Sequence, residues 1–204
     1  CEAYGLTECS MGATANPPAR SNIRQGSVGV PVFDTECKVV DLETGKDLPP
    51  GKEGEICIKG PQVMQGYWNK PEETAEVLKD DWLSTGDIGK MDEDGYFYIT
   101  DRKKDMIIYK GYNVYPRELE EAIFTHPAVE QCAVVGKPDL DVGEAPVAFV
   151  QLRQGAEATA EEVMEHTNPQ IAAYKKIREV RFLDAIPVKQ ASPQRNKCNR
   201  DFTG

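Results

Sequence analysis

The sequence predicts an α+β fold in two parts: a small β-rich subdomain over residues 1–101, then a compact α+β domain over residues 102–204. Three observations carry this expectation. In the first half the apolar runs are short and lie between turn-forming clusters of Gly, Pro and Asp. From Pro116 the apolar spacing becomes that of a helix and then alternates between strand and helix. Between the halves lies a charged turn, Asp101-Arg102-Lys103-Lys104-Asp105.

In order along the chain, residues 37–40 and 55–59 are the first predicted strands. They flank a turn-rich connection, residues 42–51, that suits a hairpin or small barrel. Pro71 followed by Glu72 and Glu73 opens a short helix, because proline needs no N–H there and acids suit the positive end of the helix dipole. Asp94-Gly95 before Tyr96-Phe97-Tyr98-Ile99 predicts a hairpin. Pro116 opens a second helix, with Leu119, Ala122 and Ile123 on one face and Arg117, Glu118, Glu120 and Glu121 on the other; His126-Pro127 ends it. Strands at 132–135 and 147–152, a helix around 160–165 and a strand at 179–183 complete the second half, and a polar tail follows Pro187.

The chain has 204 residues, with 24 Lys and Arg against 34 Asp and Glu, a formal charge of −10, and 40% hydrophobic residues. That is the balance of a soluble globular chain, and its net charge repels nucleic acid. Mean hydropathy is −0.52, and no run approaches the roughly 18 apolar residues a membrane helix needs. The six cysteines, Cys1, Cys9, Cys37, Cys57, Cys132 and Cys198, include no C-x-x-C pair, and His126 and His166 are the only histidines. Neither a zinc site nor a disulfide framework is expected, so these read as thiols of a reducing cytoplasm. The chain begins with Cys and carries no leader, as if cut from a longer protein.

Four places can carry chemistry. Tyr4-Gly5-Leu6-Thr7-Glu8 sets a hydroxyl and a carboxylate after a glycine, which suits an approach to phosphate oxygens and a hard cation, or a plain turn or cap. Ser84-Thr85-Gly86-Asp87 reads as a short polar turn whose acid can accept from adjacent ribose hydroxyls, or as a turn alone. Arg102-Lys103-Lys104 with Lys110 is either a solvated face or an anion site. Lys110-Gly111-Tyr112-Asn113 places a glycine where backbone can lie against a ligand, or is a turn before the Pro116 helix.

The order of these pieces, with Gly54-Glu55, Gly60, Gly66-Tyr67-Trp68, Gly111-Tyr112-Asn113-Val114-Tyr115-Pro116-Arg117-Glu118-Leu119-Glu120, Gly143-Glu144 and Tyr174-Lys175, resembles the adenylate-forming acyl-CoA synthetases. This superfamily also holds firefly-type luciferases and peptide-synthetase adenylation domains. The wording Gly60-Pro61-Gln62-Val63-Met64-Gln65-Gly66-Tyr67-Trp68 is most similar to the long-chain fatty acid ligases.

The resemblance implies that a fatty carboxylate attacks the α-phosphate of ATP to give acyl-AMP and pyrophosphate, and that CoA then displaces AMP. Positioning and cationic neutralisation of phosphate charge would carry the first step. By matching position, Gly5 and Thr7 would meet phosphate, Glu8 would hold Mg²⁺ and Tyr4 would stack by the adenine. Asp87 would bind the ribose hydroxyls with Arg102 beside it, Lys104 would be the hinge of a mobile C-terminal lid, and Gly111 and Tyr112 would line the pantetheine tunnel. The catalytic lysine falls on Lys197, with Lys189 as the alternative; Asn196 stands where the family has glycine.

The family's phosphate loop lies upstream of the segments matched here. This chain would therefore need the upstream part of its own protein as a partner, and alone would not adenylate. Homodimerisation through open strand edges and peripheral membrane contact of the parent protein are further expectations. Two alternatives stay open: an adenylating domain for an aryl or amino acid, and a degenerate member that binds nucleotide without turnover.

Overall fold

The computed structural model describes residues 2–10, 12–189 and 192–193, although side chains are described only as far as 187. The chain divides into two units, Cys1–Lys103 and Lys104–Gly204.

The first unit holds a small sheet of β1 (Ala3–Tyr4), β2 (Thr14–Ala15) and β3 (Val30–Pro31), and a larger one of β4 (Glu36–Val40), β5 (Gly54–Lys59), β6 (Leu78–Lys79), β7 (Trp82–Met91) and β8 (Phe97–Arg102), with α1 (Pro71–Val77) before β6. The larger sheet runs β4-β5-β7, and the far edge of β7 pairs with β6 in its first half and β8 in its second. All its pairings are antiparallel, as hairpin connections favour. The β4–β5 turn is held by Asp41, whose Oδ1 accepts from Thr44 N at 2.7 Å and from the Thr44 hydroxyl at 2.8 Å. At the β7–β8 turn the Asp92 carboxylate accepts from Tyr96 N at 2.9 Å and also pairs with Arg24, which lies over the Tyr96 ring. Cys9, Ala13, Val39, Ile56, Ile58, Leu83 and Phe97 form the core between these pieces.

The second unit contains β9 (Ile107–Tyr109), β10 (Tyr112–Val114), α2 (Pro116–Phe124), β11 (Val129–Asp139), β12 (Gly143–Leu152), α3 (Ala160–Thr167), β13 (Glu179–Phe182), β14 (Val188–Lys189) and β15 (Ser192–Pro193). Strands β11 and β12 form a long antiparallel hairpin, and β13 adds to β12 in parallel. Alternation along these strands gives two buried faces. Cys132, Val134, Ala148 and Val150 lie in one cluster with Leu119 and Ile123 of α2 and Val163 of α3; Ala133, Val135, Val147 and Phe149 lie in another with Ile186. Helix α3 starts at a capping box: the Thr159 hydroxyl accepts from Glu162 N, and Thr159 N–H donates to the Glu162 carboxylate.

The structure is thus mixed α+β, as the sequence predicts, with corrections in detail. Residues 84–87 are not a turn; they lie inside β7. Across the ladder, Glu55 faces Ile88 and Cys57 faces Ser84, so three residues of β7 oppose one of β5. This is a bulge, and Gly86 occupies its left-handed position at φ 73°. Lys110-Gly111 is a turn before the Pro116 helix, as one sequence reading has it, and forms the tip of a β9–β10 hairpin with both residues at positive φ as a two-residue hairpin turn demands. Glu120 does not face solvent with its helical neighbours: it is 6% exposed, and its carboxylate accepts from Val134 N at 2.9 Å. Strand β11 is the outer strand of its sheet, so the N–H groups on its open side need partners from outside the ladder. Among the described residues no helix is long and apolar enough to cross a membrane.

Candidate functional site

The bulge in β7 builds the polar corner of the first unit. Ordinary pairing would satisfy the backbone on both strands, whereas here side chains take over. The Thr85 hydroxyl donates to Ile56 O at 2.7 Å and accepts from Asp87 N at 3.1 Å. Gly86 N–H donates to the Glu55 carboxylate at 3.0 Å. The next residue, Asp87, is 9% exposed. Its Oδ2 accepts from the Tyr4 hydroxyl at 2.7 Å, and Arg102 Nε lies 3.3 Å from its Oδ1.

Arg102 is brought there by register, since it faces Asp87 directly across β7–β8. Burial, and then the Asp87 carboxylate, push the Tyr4 phenol well above its ordinary range. Tyr4 therefore stays protonated and donates. A carboxylate offers about four acceptor positions, so after Tyr4 and Arg102 about two remain for a ligand's hydroxyls.

Thr7 and Glu8 lie in a short 3-10 turn, Thr7–Cys9, that follows β1. Thr7 and Gly5 are exposed and Glu8 is half-buried. The Tyr67 hydroxyl donates to Glu8 Oε1 at 2.9 Å, and Glu8 O accepts from Met64 N at 2.7 Å. Burial, then Glu8 itself, raise the Tyr67 phenol, so this bond too keeps its proton on the tyrosine. Glu8, Tyr67, Thr85, Gly86, Glu55 and Lys103 share one groove of about 710 Å³. Among the described residues no cluster of three or more His, Cys, Asp or Glu is set to hold a metal unaided. A single carboxylate at a groove, with one oxygen oriented by a tyrosine, fits a Mg²⁺ that takes its other ligands from phosphates and water.

The second unit carries the remaining predicted residues. Lys104 is its first residue and is exposed. Gly111 sits at the tip of the β9–β10 hairpin, where a Cβ would meet nothing within 4 Å. Tyr112 is 57% exposed, and its ring lies 4.9 Å from that of Tyr174. Lys175 pairs with Glu118, and Arg178 lies 5.0 Å over the Tyr109 ring, so the hairpin stands on a basic and aromatic face. Lys197 lies outside the described residues, and Lys189 is described only as backbone of β14.

Glu55 and Tyr67 are residues of this site to which the sequence assigns no role, and Lys103, read there as part of a basic run, is paired with Glu55. Glu55 is an acid in an otherwise apolar strand, Glu-Ile-Cys-Ile, which was the available signal. Lys103 Nζ lies 2.8 Å from Glu55 Oε2, which offsets the charge of that buried carboxylate. No disulfide occurs among the described residues: Cys9, Cys37 and Cys57 are free thiols, and the Cys132 thiol donates to Glu120 O.

The fold and corner define a class: a mixed α+β protein with a buried carboxylate, partly free to accept, beside a polar groove. Comparison with known proteins is specific. The sequence profile described as AMP-binding enzyme matches residues 1–68, and that of the AMP-binding enzyme C-terminal domain matches residues 118–192. A long-chain-fatty-acid–CoA ligase of Bacillus subtilis (strain 168) is 50% identical over 91% of this chain and 33% of its own length. The ATP-bound crystal structure of MatB from Rhodopseudomonas palustris superposes with a TM-score of 0.90 at 39% identity, over 98% of this chain and 40% of that one. The o-succinylbenzoate CoA synthetase of Bacillus subtilis, solved with its acyl-adenylate, gives 0.85 at 33% identity, over 97% of this chain and 40% of that one. The chain belongs to the AMP-binding enzyme family. It spans about a third of the length of the curated relatives it matches.

Proposed function

We propose that the chain is part of an ATP-dependent, AMP-forming acyl-CoA synthetase that activates fatty acids, and that it supplies the nucleotide corner and the mobile lid. The observation that carries this is the buried Asp87 carboxylate, aimed by Tyr4 and Arg102 with acceptor positions left over. In this reading Asp87 accepts from the ribose hydroxyls and Tyr4 lies beside the adenine. Gly5 and Thr7 meet phosphate, and Glu8, oriented by Tyr67, holds Mg²⁺, which lowers the cost of charge building on the phosphate oxygens.

The carboxylate pocket and the phosphate loop come from the upstream part of the same protein. Residues 104–204 form the lid, and Lys104 is its hinge. Lys197 reaches the substrate carboxylate in the first step, and Gly111 with Tyr112 flanks the pantetheine arm of CoA in the second. The identity to a long-chain-fatty-acid–CoA ligase supports a fatty acid as substrate. The likeness to an o-succinylbenzoate CoA synthetase favours an aryl acid as the second reading. The free thiols Cys9, Cys37 and Cys57 support a cytoplasmic setting.

The test is pyrophosphate release by the intact protein with ATP, Mg²⁺ and fatty acids of graded length, with and without CoA. Fatty-acid-dependent release with acyl-CoA formation is expected. Release with aryl acids alone would move the assignment to the second reading, and no release from a folded, ATP-binding protein would leave a nucleotide binder without turnover.

A further inference from the structure

Glu55 is an acidic side chain only 7% exposed, at the start of an apolar strand, and the reaction just described gives it nothing to do. Such a carboxylate is costly to bury unless both oxygens are occupied. Both are. Oε1 accepts from Gly86 N–H at 3.0 Å and Oε2 from Lys103 Nζ at 2.8 Å.

Gly86 is the residue whose N–H the bulge removes from the ladder, and its left-handed φ turns the chain into Asp87. The Thr85 hydroxyl also ties the bulge to β5, through Ile56 O, and Asp87 is paired with Arg102 of β8 on its other side. Lys103 is the last residue of the first unit and follows Arg102, the second partner of Asp87. One buried carboxylate thus fixes the backbone immediately before Asp87 and the chain immediately after Arg102.

We propose that Glu55 is the positioning residue of the nucleotide site. It holds the Thr85-Gly86-Asp87 bulge in the shape that aims the Asp87 carboxylate at the ribose, and it tethers the strand that brings Arg102 alongside. The proposal rests on the reading of Asp87 as the ribose ligand. Glu55 touches no substrate in this account and acts through Gly86 and Lys103.

The experiment compares Glu55→Ala, Glu55→Gln and Glu55→Asp in the intact protein, with Asp87→Ala alongside. The readouts are ATP affinity by calorimetry, KM for ATP against KM for the acid, and the thermal midpoint. A glutamine keeps an acceptor for Gly86 N–H and should hold ATP within about 3-fold of wild type, whereas alanine should weaken it about 10-fold with the KM for the acid unchanged. Aspartate keeps the charge but is one methylene short of spanning Gly86 and Lys103, and should also lose about 10-fold.

A merely structural role would lower the thermal midpoint and leave the two KM values in their wild-type ratio, which would overturn the proposal. If Glu55→Ala does not fold, the Gln and Asp variants decide: aspartate binding ATP better than glutamine contradicts it. Unchanged ATP affinity in Asp87→Ala would instead refute the ribose reading itself. Weakened binding in Asp87→Ala with wild-type binding in all three Glu55 variants would refute only the positioning role.

Discussion

The two units each bury a glutamate against backbone, and they use it for different ends. In the first unit Glu55 accepts from Gly86 N–H, on a strand that has left its ladder, and the freed backbone presents Asp87. In the second unit Glu120 accepts from Val134 N–H on an outer strand, where a helix side chain covers an open edge. Both satisfy an N–H that the ladder does not. The difference lies in what the held N–H belongs to: the bulge that presents a second carboxylate with acceptor capacity to spare in the case of Glu55, and Val134 of the apolar core formed with Leu119 and Ile123 in the case of Glu120. Burial of an acid therefore does not mark a site by itself, whereas the neighbours it orients do.

The largest expected effect separates the two units outright. Asp87→Ala should weaken ATP binding of the intact protein by about 100-fold, since it removes a charged acceptor and leaves Tyr4 and Arg102 without their partner. Calorimetric titration reads this directly, and a loss under about 3-fold would erase the contrast.

Next, Glu120→Ala should cost about 1–3 kcal/mol of stability by leaving Val134 N–H without its carboxylate. Denaturant unfolding measures it, and ATP affinity should not move. If ATP affinity falls along with stability, the two glutamates are not functionally distinct.

Tyr112→Ala sharpens the comparison from the second unit, because its exposed ring is packed on Tyr174 and not in a core. It should raise the KM for CoA by about 10-fold and leave acid-dependent pyrophosphate release in the absence of CoA unchanged. Equal loss in both half-reactions would contradict the assignment.

The smallest effect is in pH dependence. Burial pushes the Cys37 thiol from its ordinary 9.0 up to about 12. Between these values the unfolded chain has released a proton that the folded chain keeps, so this contribution is intact below pH 9 and is lost as pH climbs toward 12. The urea midpoint should be lower at about pH 10.5 than at about pH 8, and Cys37→Ser should shrink that difference. A midpoint that rises with pH over this range would have the wrong sign.

Much of the fold was legible because local chemistry agrees with it. Pro71 and Pro116 do open helices, Asp94-Gly95 does turn a hairpin, and the apolar runs at 132–135 and 147–152 fall within longer strands. The misreadings share a cause. Ser-Thr-Gly-Asp has the same composition whether it makes a turn or a bulge, and only the register of β5 against β7 distinguishes them. Helical periodicity put Glu120 on the solvent face because it carries no information about a strand edge beside the helix.

Family resemblance points to the site residues, and the structure shows which of them touch. Tyr4 bonds to Asp87 across 83 positions of sequence, a distance at which no local pattern operates. Glu55 lies in the Gly54-Glu55 segment that carries the resemblance, yet its task depends on ladder register, which no local sequence pattern encodes.

The central claim is that Asp87 holds the ribose hydroxyls, and nucleotide analogues test it most directly. Affinities of the intact protein for ATP and for 2′,3′-dideoxy-ATP would be measured in wild type and in Asp87→Ala. The account predicts that wild type prefers ATP by at least about 10-fold and that Asp87→Ala loses most of that preference. A variant that discriminates between the two nucleotides as well as wild type does would contradict it.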